Sequence, residues 1–231
     1  MDLESLIRHT ERAVYNASIN SSKLTDEILE MEGMSGYKTR HLYNNVCNLP
    51  GAKYLEVGTW KGSSFISALY GNMLDHAYCV DNWSEFNDSV WGKDPYSAFR
   101  TNVDRYLGEG RSDLTILNKN CWDVTLHSQQ DISPGSIDVF MYDGEHSYEA
   151  QKRAITHYAP FFSKYVIIMI DDWECDWWHV RDATYEGLDE ADLKIHYVCE
   201  IPRSTPFGAY HCGGNTFWNG CGVFVCARKQ N

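Results

Sequence analysis

Two apolar segments of this chain end in acid: Ile137-Asp138-Val139-Phe140-Met141-Tyr142-Asp143-Gly144-Glu145-His146 and Tyr165-Val166-Ile167-Ile168-Met169-Ile170-Asp171-Asp172-Trp173. A short β-branched run that breaks into carboxylates reads as a strand buried on both faces, delivering polar groups to the carboxyl edge of a parallel sheet, where open α/β folds bind ligands. So placed, Asp143, Asp171 and Asp172 converge with His146 near one point. Three neighbouring carboxylates repel unless a proton or a cation intervenes, so charge alone leads to the expectation of a divalent metal.

The rest of the chain keeps the same rhythm. Strand-like runs at residues 53–57, 76–80 and 114–117 alternate with helical spacing at 63–70, at about 94–107 and, between the two acid-tipped strands, at 148–162. Alternation of this kind predicts a doubly wound, mostly parallel sheet, because parallel neighbours need crossover helices. Two final runs, 194–201 and 222–227, flank a Gly-rich stretch at 207–220 and predict an antiparallel hairpin that completes a seven-stranded sheet. Ahead of the sheet, residues 2–30 carry helical spacing (Leu3, Leu6, Ile7; then Leu24, Ile28, Leu29) broken by a polar stretch at 16–22, and 37–47 reads as a third helix stopped by Asn48-Leu49-Pro50-Gly51. The 231 residues are therefore expected to form one α/β domain, with residues 1–50 a helical cap and 51–231 a Rossmann-like core.

Composition narrows the partners. A net charge of -12 argues against nucleic acid, whose binding draws on phosphate neutralisation by clustered Lys and Arg. No run approaches the ~18 apolar residues of a membrane span, and Met1-Asp2-Leu3-Glu4-Ser5 lacks the basic-then-apolar start of a signal peptide. A cytoplasmic enzyme without a membrane partner is the expectation, with a homo-oligomer compatible. Eight cysteines are scattered without framework spacing, and neither Cys212, Cys221 and Cys226 near His211 nor Cys175 near His179 has a zinc spacing, so reduced, buried thiols are expected. Trp83, Trp91, Trp122, Trp173, Trp177, Trp178 and Trp218 crowd the expected loops above the sheet, where some would face a ligand.

The first strand runs Tyr54-Leu55-Glu56-Val57-Gly58-Thr59-Trp60-Lys61-Gly62-Ser63-Ser64 into a helix. Gly58 permits a sharp turn under a cofactor, Gly62 permits close approach, and Ser63 and Ser64 open the helix with free backbone N–H groups. A purely structural turn has the same glycines. Asp81, at the end of the next strand, is placed to accept hydrogen bonds from ribose hydroxyls; its bland alternative is a helix cap. The spacing Gly58-x-x-x-Gly62, Glu56 just before the turn and the C-terminal hairpin tilt the ligand from a dinucleotide toward S-adenosylmethionine.

Over roughly residues 36 to 227 the chain resembles the metal-dependent class I methyltransferases grouped with macrolide-sugar O-methyltransferases, rhamnosyl O-methyltransferases and cephalosporin hydroxylase-like proteins. The resemblance rests on Glu56-Val57-Gly58-Thr59-Trp60-Lys61-Gly62, Asp81, Asp143-Gly144-Glu145-His146-Ser147-Tyr148 and Ile170-Asp171-Asp172-Trp173. It implies that Asp143, Asp171 and Asp172 hold magnesium and that His146 is the base. It further implies a cofactor surface on Glu56, Gly58, Thr59, Gly62, Ser63, Ser64, Asp81, Asn82, Trp83, Asn120, Cys121 and Asp143. Two departures stand out: Trp60, where many class I enzymes carry a middle glycine, and Asn120-Cys121-Trp122, where relatives often have Gly-Asp near the adenine.

The implied reaction is methyl transfer to a sugar hydroxyl, free or in a glycan or glycoside, as of a deoxysugar such as rhamnose. Magnesium would chelate two neighbouring hydroxyls and lower the pKa of one while His146 removes its proton. A catechol satisfies the same geometry and is the nearest alternative. A nicotinamide-dependent oxidoreductase is disfavoured by the glycine spacing and the acidic pair, and a binding module without chemistry by the intact acids and His146. Trp173, Trp177 and Trp178 suit either stacking on sugar faces or a helix core. Tyr148 reads as packing, and His179 and Arg181 as substrate contacts or solvated helix residues.

Overall fold

In a computed structural model, residues 1–88, 92–126, 132–174, 179–204 and 214–228 are described. Seven strands form one sheet: β1 (Lys53–Val57), β2 (His76–Asp81), β3 (Leu114–Asn118), β4 (Ile137–Tyr142), β5 (Phe162–Ile170), β6 (Leu193–Ile201) and β7 (Cys221–Arg228), in the order β3-β2-β1-β4-β5-β7-β6. The five central and left-hand strands are parallel, and β7 enters antiparallel between β5 and β6. The expected doubly wound sheet with a terminal antiparallel hairpin is therefore the observed architecture.

Both faces are covered, which is why the strands are apolar throughout rather than alternating. Successive residues feed opposite cores. Tyr54, Val139, Met141, Ile167, Met169 and Val223 join one, while Leu55, Phe140, Tyr142, Ile168, Ile170 and Phe224 join the other. Over the first face lie α1 (Leu3–Ser18), the single turn α2 (Asp26–Leu29), α3 (Tyr37–Val46), α4 (Ser63–Leu69) and α5 (Pro95–Leu107). Over the second lie α6 (Tyr148–Tyr158) and α7 (Val180–Glu190), tied together where the Tyr148 hydroxyl donates to Glu186. Tyr148 is thus held at the surface by a carboxylate rather than packed in the core.

The N-terminal helices follow from local signals. Asp2 caps α1, its carboxylate accepting from Ser5 N at 2.9 Å, and Leu6, Thr10, Ala13 and Ala17 form the buried stripe. The helix α3 departs from amphipathicity. From Thr39 to Val46 every residue is buried, polar ones included. Several of these polar groups are satisfied across the fold: Asn44 Nδ2 donates to the Ser67 and Tyr70 carbonyls, Asn45 Nδ2 to that of Ser21, and Arg40 Nη1 to those of Ile28, Leu29 and Met31. The first N–H groups of α3 find partners far along the chain, Tyr37 N donating to Gly214 O at 2.8 Å and Lys38 N to Thr216 O at 3.1 Å.

Register brings the strand ends level. Val57 pairs with Val80 and with Tyr142, and Tyr142 with Ile170. The residues one step beyond, Gly58, Asp81, Asp143 and Asp171, consequently share one edge, and the ladder runs on through Gly58 N to Val80 O, Asp143 N to Val57 O and Asp171 N to Tyr142 O.

Candidate functional site at the carboxyl edge

Two groups of side chains occupy this edge. The first surrounds the turn after β1. Gly58 stands at φ +86°, and a Cβ there would fall 1.9 Å from the carbonyl oxygen of Asp143, so only glycine lets the turn lie against the acid-tipped strand. Asp81 Oδ2 accepts from Thr59 N and Trp60 N, each at 2.8 Å, and Asp81 Oδ1 accepts from Trp83 N at 2.7 Å. A carboxylate has about four acceptor sites, so roughly one remains for a ligand hydroxyl. Trp60 itself adopts φ +42°, the left-handed conformation a glycine would enter at little cost, and its carbonyl accepts from Trp83 Nε1 at 2.7 Å.

Several expected cofactor contacts lie deeper than a binding surface. Glu56 is wholly buried, its carboxylate accepting from Tyr54 OH and Ser64 Oγ, each at 2.5 Å. Burial raises its pKa to about 8, against those two hydrogen bonds. Ser63 and Ser64 are buried as well, Ser63 lying under Gly33, whose Cβ would meet Ser63 Oγ at 1.9 Å. Gly62, at φ +90°, backs onto Phe99. Thr59 is buried, with no hydrogen-bond partner at Oγ1 among the described residues. Asn82 and Asn120 are exposed and turned to local work, accepting from Ser84 N and Trp122 N respectively, while the Cys121 carbonyl accepts from Tyr158 OH and burial raises the Cys121 thiol to about 11.

The described tryptophans divide between core and surface. Trp83 is core, packed on Tyr96 and Phe99 with ring centroids 4.7 and 5.2 Å away. Trp173 is also buried, against Phe224 and Tyr185, with its ring over Gly222, where a Cβ would come within 2.5 Å. Neither faces open space. Trp122 carries the Arg153 guanidinium 4.3 Å above its ring, and Trp218 is half-buried. Trp91, Trp177 and Trp178, together with Cys175, His211, Cys212 and residues 207–213 of the Gly-rich stretch, lie outside the described residues. Arg181 pairs with Glu200 at 2.9 Å, and His179 is the exposed cap of α7. The six described cysteines are free thiols.

The second group is the acid cluster. His146, nearly buried, sets Nε2 3.3 Å from Asp143 Oδ1 and 3.8 Å from Asp172 Oδ2. Burial pulls the imidazolium pKa down, but the Asp143 hydrogen bond and the charges of Asp172 and Asp143 outweigh it, leaving His146 above its ordinary value. Asp172 takes the left-handed conformation, φ +53°, which Asp tolerates better than most side chains, and Asn219 Nδ2 donates to its Oδ1 at 2.7 Å. Burial raises the Asp172 pKa, with the His146 charge opposing and Asp143 adding to the rise. Asp171 is raised further, by burial first and then by Asp143 and Asp172. Its Oδ1 has no hydrogen-bond partner among the described residues.

These acids fit a hard divalent cation in donor chemistry, being all oxygen, unneutralised by Lys or Arg in the contacts described, and carrying an orphaned buried Oδ1. Among the described residues, however, no three His, Cys, Asp or Glu side chains are grouped closely enough to cage an ion; Asp143 and Asp172 meet through His146 instead. Two neighbours went unforeseen, Asn219 and Tyr43. Nothing in their local sequence marks them, since one lies near the end of the Gly-rich stretch and the other sits mid-helix. A cavity of about 650 Å³ opens elsewhere, beside Lys61, Glu30, Glu32, Asp94 and Tyr106, and touches none of the acids.

Comparison with known proteins identifies the family and the fold. The family described as methyltransferase domain matches residues 55–173, the stretch from β1 through the acidic pair. Among solved structures, a Corynebacterium glutamicum protein aligns with TM-score 0.57 at 14% identity, covering 95% of this chain and 91% of that one. An O-methyltransferase from Bacillus cereus in complex with SAH aligns with TM-score 0.54 at 12% identity, covering 94% and 91%. Magnesium protoporphyrin IX methyltransferase from Synechocystis PCC 6803 with bound SAM aligns with TM-score 0.53 at 12% identity, covering 95% and 91%. Against a Streptococcus mutans structure, TM-score 0.54 at 8% identity, this chain spans 48% of the other's length. No curated protein matches the sequence.

Proposed function

The chain belongs to the methyltransferase-domain family, and from that premise we propose that it transfers the methyl group of S-adenosylmethionine to a hydroxyl of a sugar, with Asp143, Asp171 and Asp172 holding a divalent cation, Mg²⁺ for preference, and His146 as the base. One observation carries the reading: a buried imidazole wedged between two carboxylates, against the carbonyl-to-Gly58 contact that joins the acids to the cofactor turn. When bound, the sulfonium supplies an electrophilic methyl and the cation supplies Lewis acidity to the acceptor hydroxyl.

The chain's own residues do the rest. His146 Nε2 takes the acceptor proton and holds it against Asp143 Oδ1 and Asp172 Oδ2, whose charges stabilise the imidazolium so formed. Asn219 fixes Asp172. Asp81, bound to the turn by Thr59 and Trp60, offers its remaining acceptor site to a ribose hydroxyl, and Gly58 keeps the turn low enough for the sulfonium to approach the acids. Trp60 gives the turn bulk where a glycine would leave room.

The test is a panel of sugar and catechol acceptors assayed with S-adenosylmethionine, with and without a chelator, alongside titrations with S-adenosylmethionine and NAD. Methylation of a sugar hydroxyl that stops on chelation supports the reading. Turnover that survives metal removal ends the cation's role, and methylation confined to catechols ends the sugar assignment.

A further inference from the structure

The cavity of about 650 Å³ shares a wall with the cofactor turn, through Lys61. Gly58, at the start of that turn, lies against the Asp143 carbonyl; Lys61 follows three residues on, and Gly62 N donates to Thr59 O at 2.7 Å, which folds the segment tightly. Three residues span at most about 11 Å when extended, so the Lys61 Cα stands nearer than that to the residue that touches the acid-tipped strand. The charges around the cavity are largely engaged already. Lys61, nearly buried, sets Nζ 2.5 Å from Glu32 Oε1, Arg105 Nη2 stands 2.7 Å from Glu27 Oε1, and Asp94 caps α5 by accepting from Ser97 N at 3.1 Å. What the walls offer a ligand is therefore hydrogen-bonding capacity of little net charge. The second carboxylate oxygens, the exposed Glu30 and the Asn102 Oδ1, whose Nδ2 donates to Lys61 O at 2.9 Å, are acceptors, with Met31 and Ala98 as apolar surface between them. Acceptor-rich walls with apolar patches suit a neutral ligand that donates many hydrogen bonds, and the volume falls in the range of about 300–1,000 Å³ typical of small-molecule sites.

We propose that this cavity is a subsite for the part of the acceptor that does not react: a second sugar ring, carried by the ring whose hydroxyl sits at the acid edge. The inference rests on the sugar reading given above and narrows it, because the acceptor is then a disaccharide or longer glycan and not a free monosaccharide. Glu30, Glu32 and Asn102 accept from the hydroxyls of the second ring, while Ala98 and Met31 meet its C–H faces. Lys61 joins the two places, its carbonyl fixed by Asn102 on α5 and its ammonium by Glu32. Contacts so far from the reacting oxygen are made equally in the ground and transition states. They lower KM and leave kcat as it was.

Ala98→Trp fills the cavity from α5, and Glu30→Gln changes an exposed carboxylate that no fold contact depends on, so the second variant serves if the first fails to fold. The probes are rhamnose and a rhamnosyl disaccharide, with glucose and a glucosyl disaccharide beside them. Each is titrated by calorimetry into protein loaded with S-adenosylhomocysteine and then assayed for methyl transfer. Expected for wild type is a disaccharide bound at least about tenfold more tightly than its monosaccharide, the yield of one or two further hydrogen bonds. Ala98→Trp should abolish that advantage and Glu30→Gln reduce it about threefold or more, each with S-adenosylhomocysteine affinity and kcat within about twofold of wild type and a thermal midpoint within about 2 °C. Monosaccharide and disaccharide bound equally by wild type, or a disaccharide advantage that persists in every folded variant, overturns the subsite while methylation of either sugar leaves the sugar reading standing. If no sugar is bound or methylated, the sugar reading falls and the subsite falls with it. Loss of kcat or cofactor affinity in step with the loss of disaccharide binding makes the cavity wall a support of the cofactor turn and equally overturns the proposal.

Discussion

Trp83 Nε1 donates to the carbonyl oxygen of Trp60 at 2.7 Å. Together with the Asp81 carboxylate, which takes the N–H groups of Thr59 and Trp60, this bond clasps the β1 turn to the end of β2. It accounts for a bulky residue in the left-handed region: strain of about 1–2 kcal/mol at Trp60 is offset by three hydrogen bonds and by the Lys61 ammonium 4.5 Å from the Trp60 ring centroid.

Asp81→Asn exchanges a carboxylate that accepts three backbone N–H groups for an amide with a single acceptor oxygen. We expect a stability loss of roughly 1.5–3 kcal/mol and S-adenosylmethionine affinity lowered about tenfold or more, read by denaturant unfolding and calorimetry. Wild-type affinity in this variant would remove Asp81 from the cofactor site.

At Gly58 the expectation is harsher. An alanine Cβ meets backbone, not a flexible side-chain end, at 1.9 Å and at φ +86°, so β1 and β4 must part. Gly58→Ala should cost more than about 3 kcal/mol. A variant with a wild-type urea midpoint would contradict the close approach.

His146→Gln tests proton removal. It should depress single-turnover methyl transfer by about 10²–10⁴ while S-adenosylmethionine still binds within about threefold. Turnover within about tenfold of wild type would reduce His146 to a partner of the acids.

Glu56 predicts a pH signature in the protein without cofactor. Its folded pKa of about 8 lies above the ordinary glutamate value of 4.5, so the folded state holds a proton that the unfolded state has released. Stability is therefore greatest below about pH 4.5 as far as Glu56 is concerned, and falls as pH rises toward 8, by a few kcal/mol in order of magnitude. Glu56→Gln should flatten this slope in urea titrations across that window. An equal slope in both proteins would mean that Glu56 is ionised in the fold.

Much of this was legible in the residues. The β1 span and the edge bearing Gly58, Asp81, Asp143 and Asp171 follow from apolar runs that end in acid, because burial on both faces of a parallel sheet leaves strand ends as the one place for charge. The helix expected over 148–162 ends at Tyr158 instead, since Pro160 has no N–H to continue it, a 3₁₀ turn takes Ala159–Phe161, and β5 begins at Phe162. Trp83 and Trp173 were not separable by sequence into ligand-facing and core, because the deciding partners, Phe99 and Gly222, are distant along the chain. The helix α3 was legible as a helix and not as a buried one. Its Asn44 and Asn45 are satisfied by segments that only the finished fold brings near.

The bonds from Tyr37 and Lys38 to Gly214 and Thr216 join parts of the chain that synthesis and folding bring together last. Contacts of such long sequence separation form slowly, after local pairing. The sheet edge with its acids should therefore form before α3 is tied to the residues ahead of β7. In refolding experiments, protection of the Tyr37 and Lys38 amides from hydrogen exchange should lag behind that of the sheet.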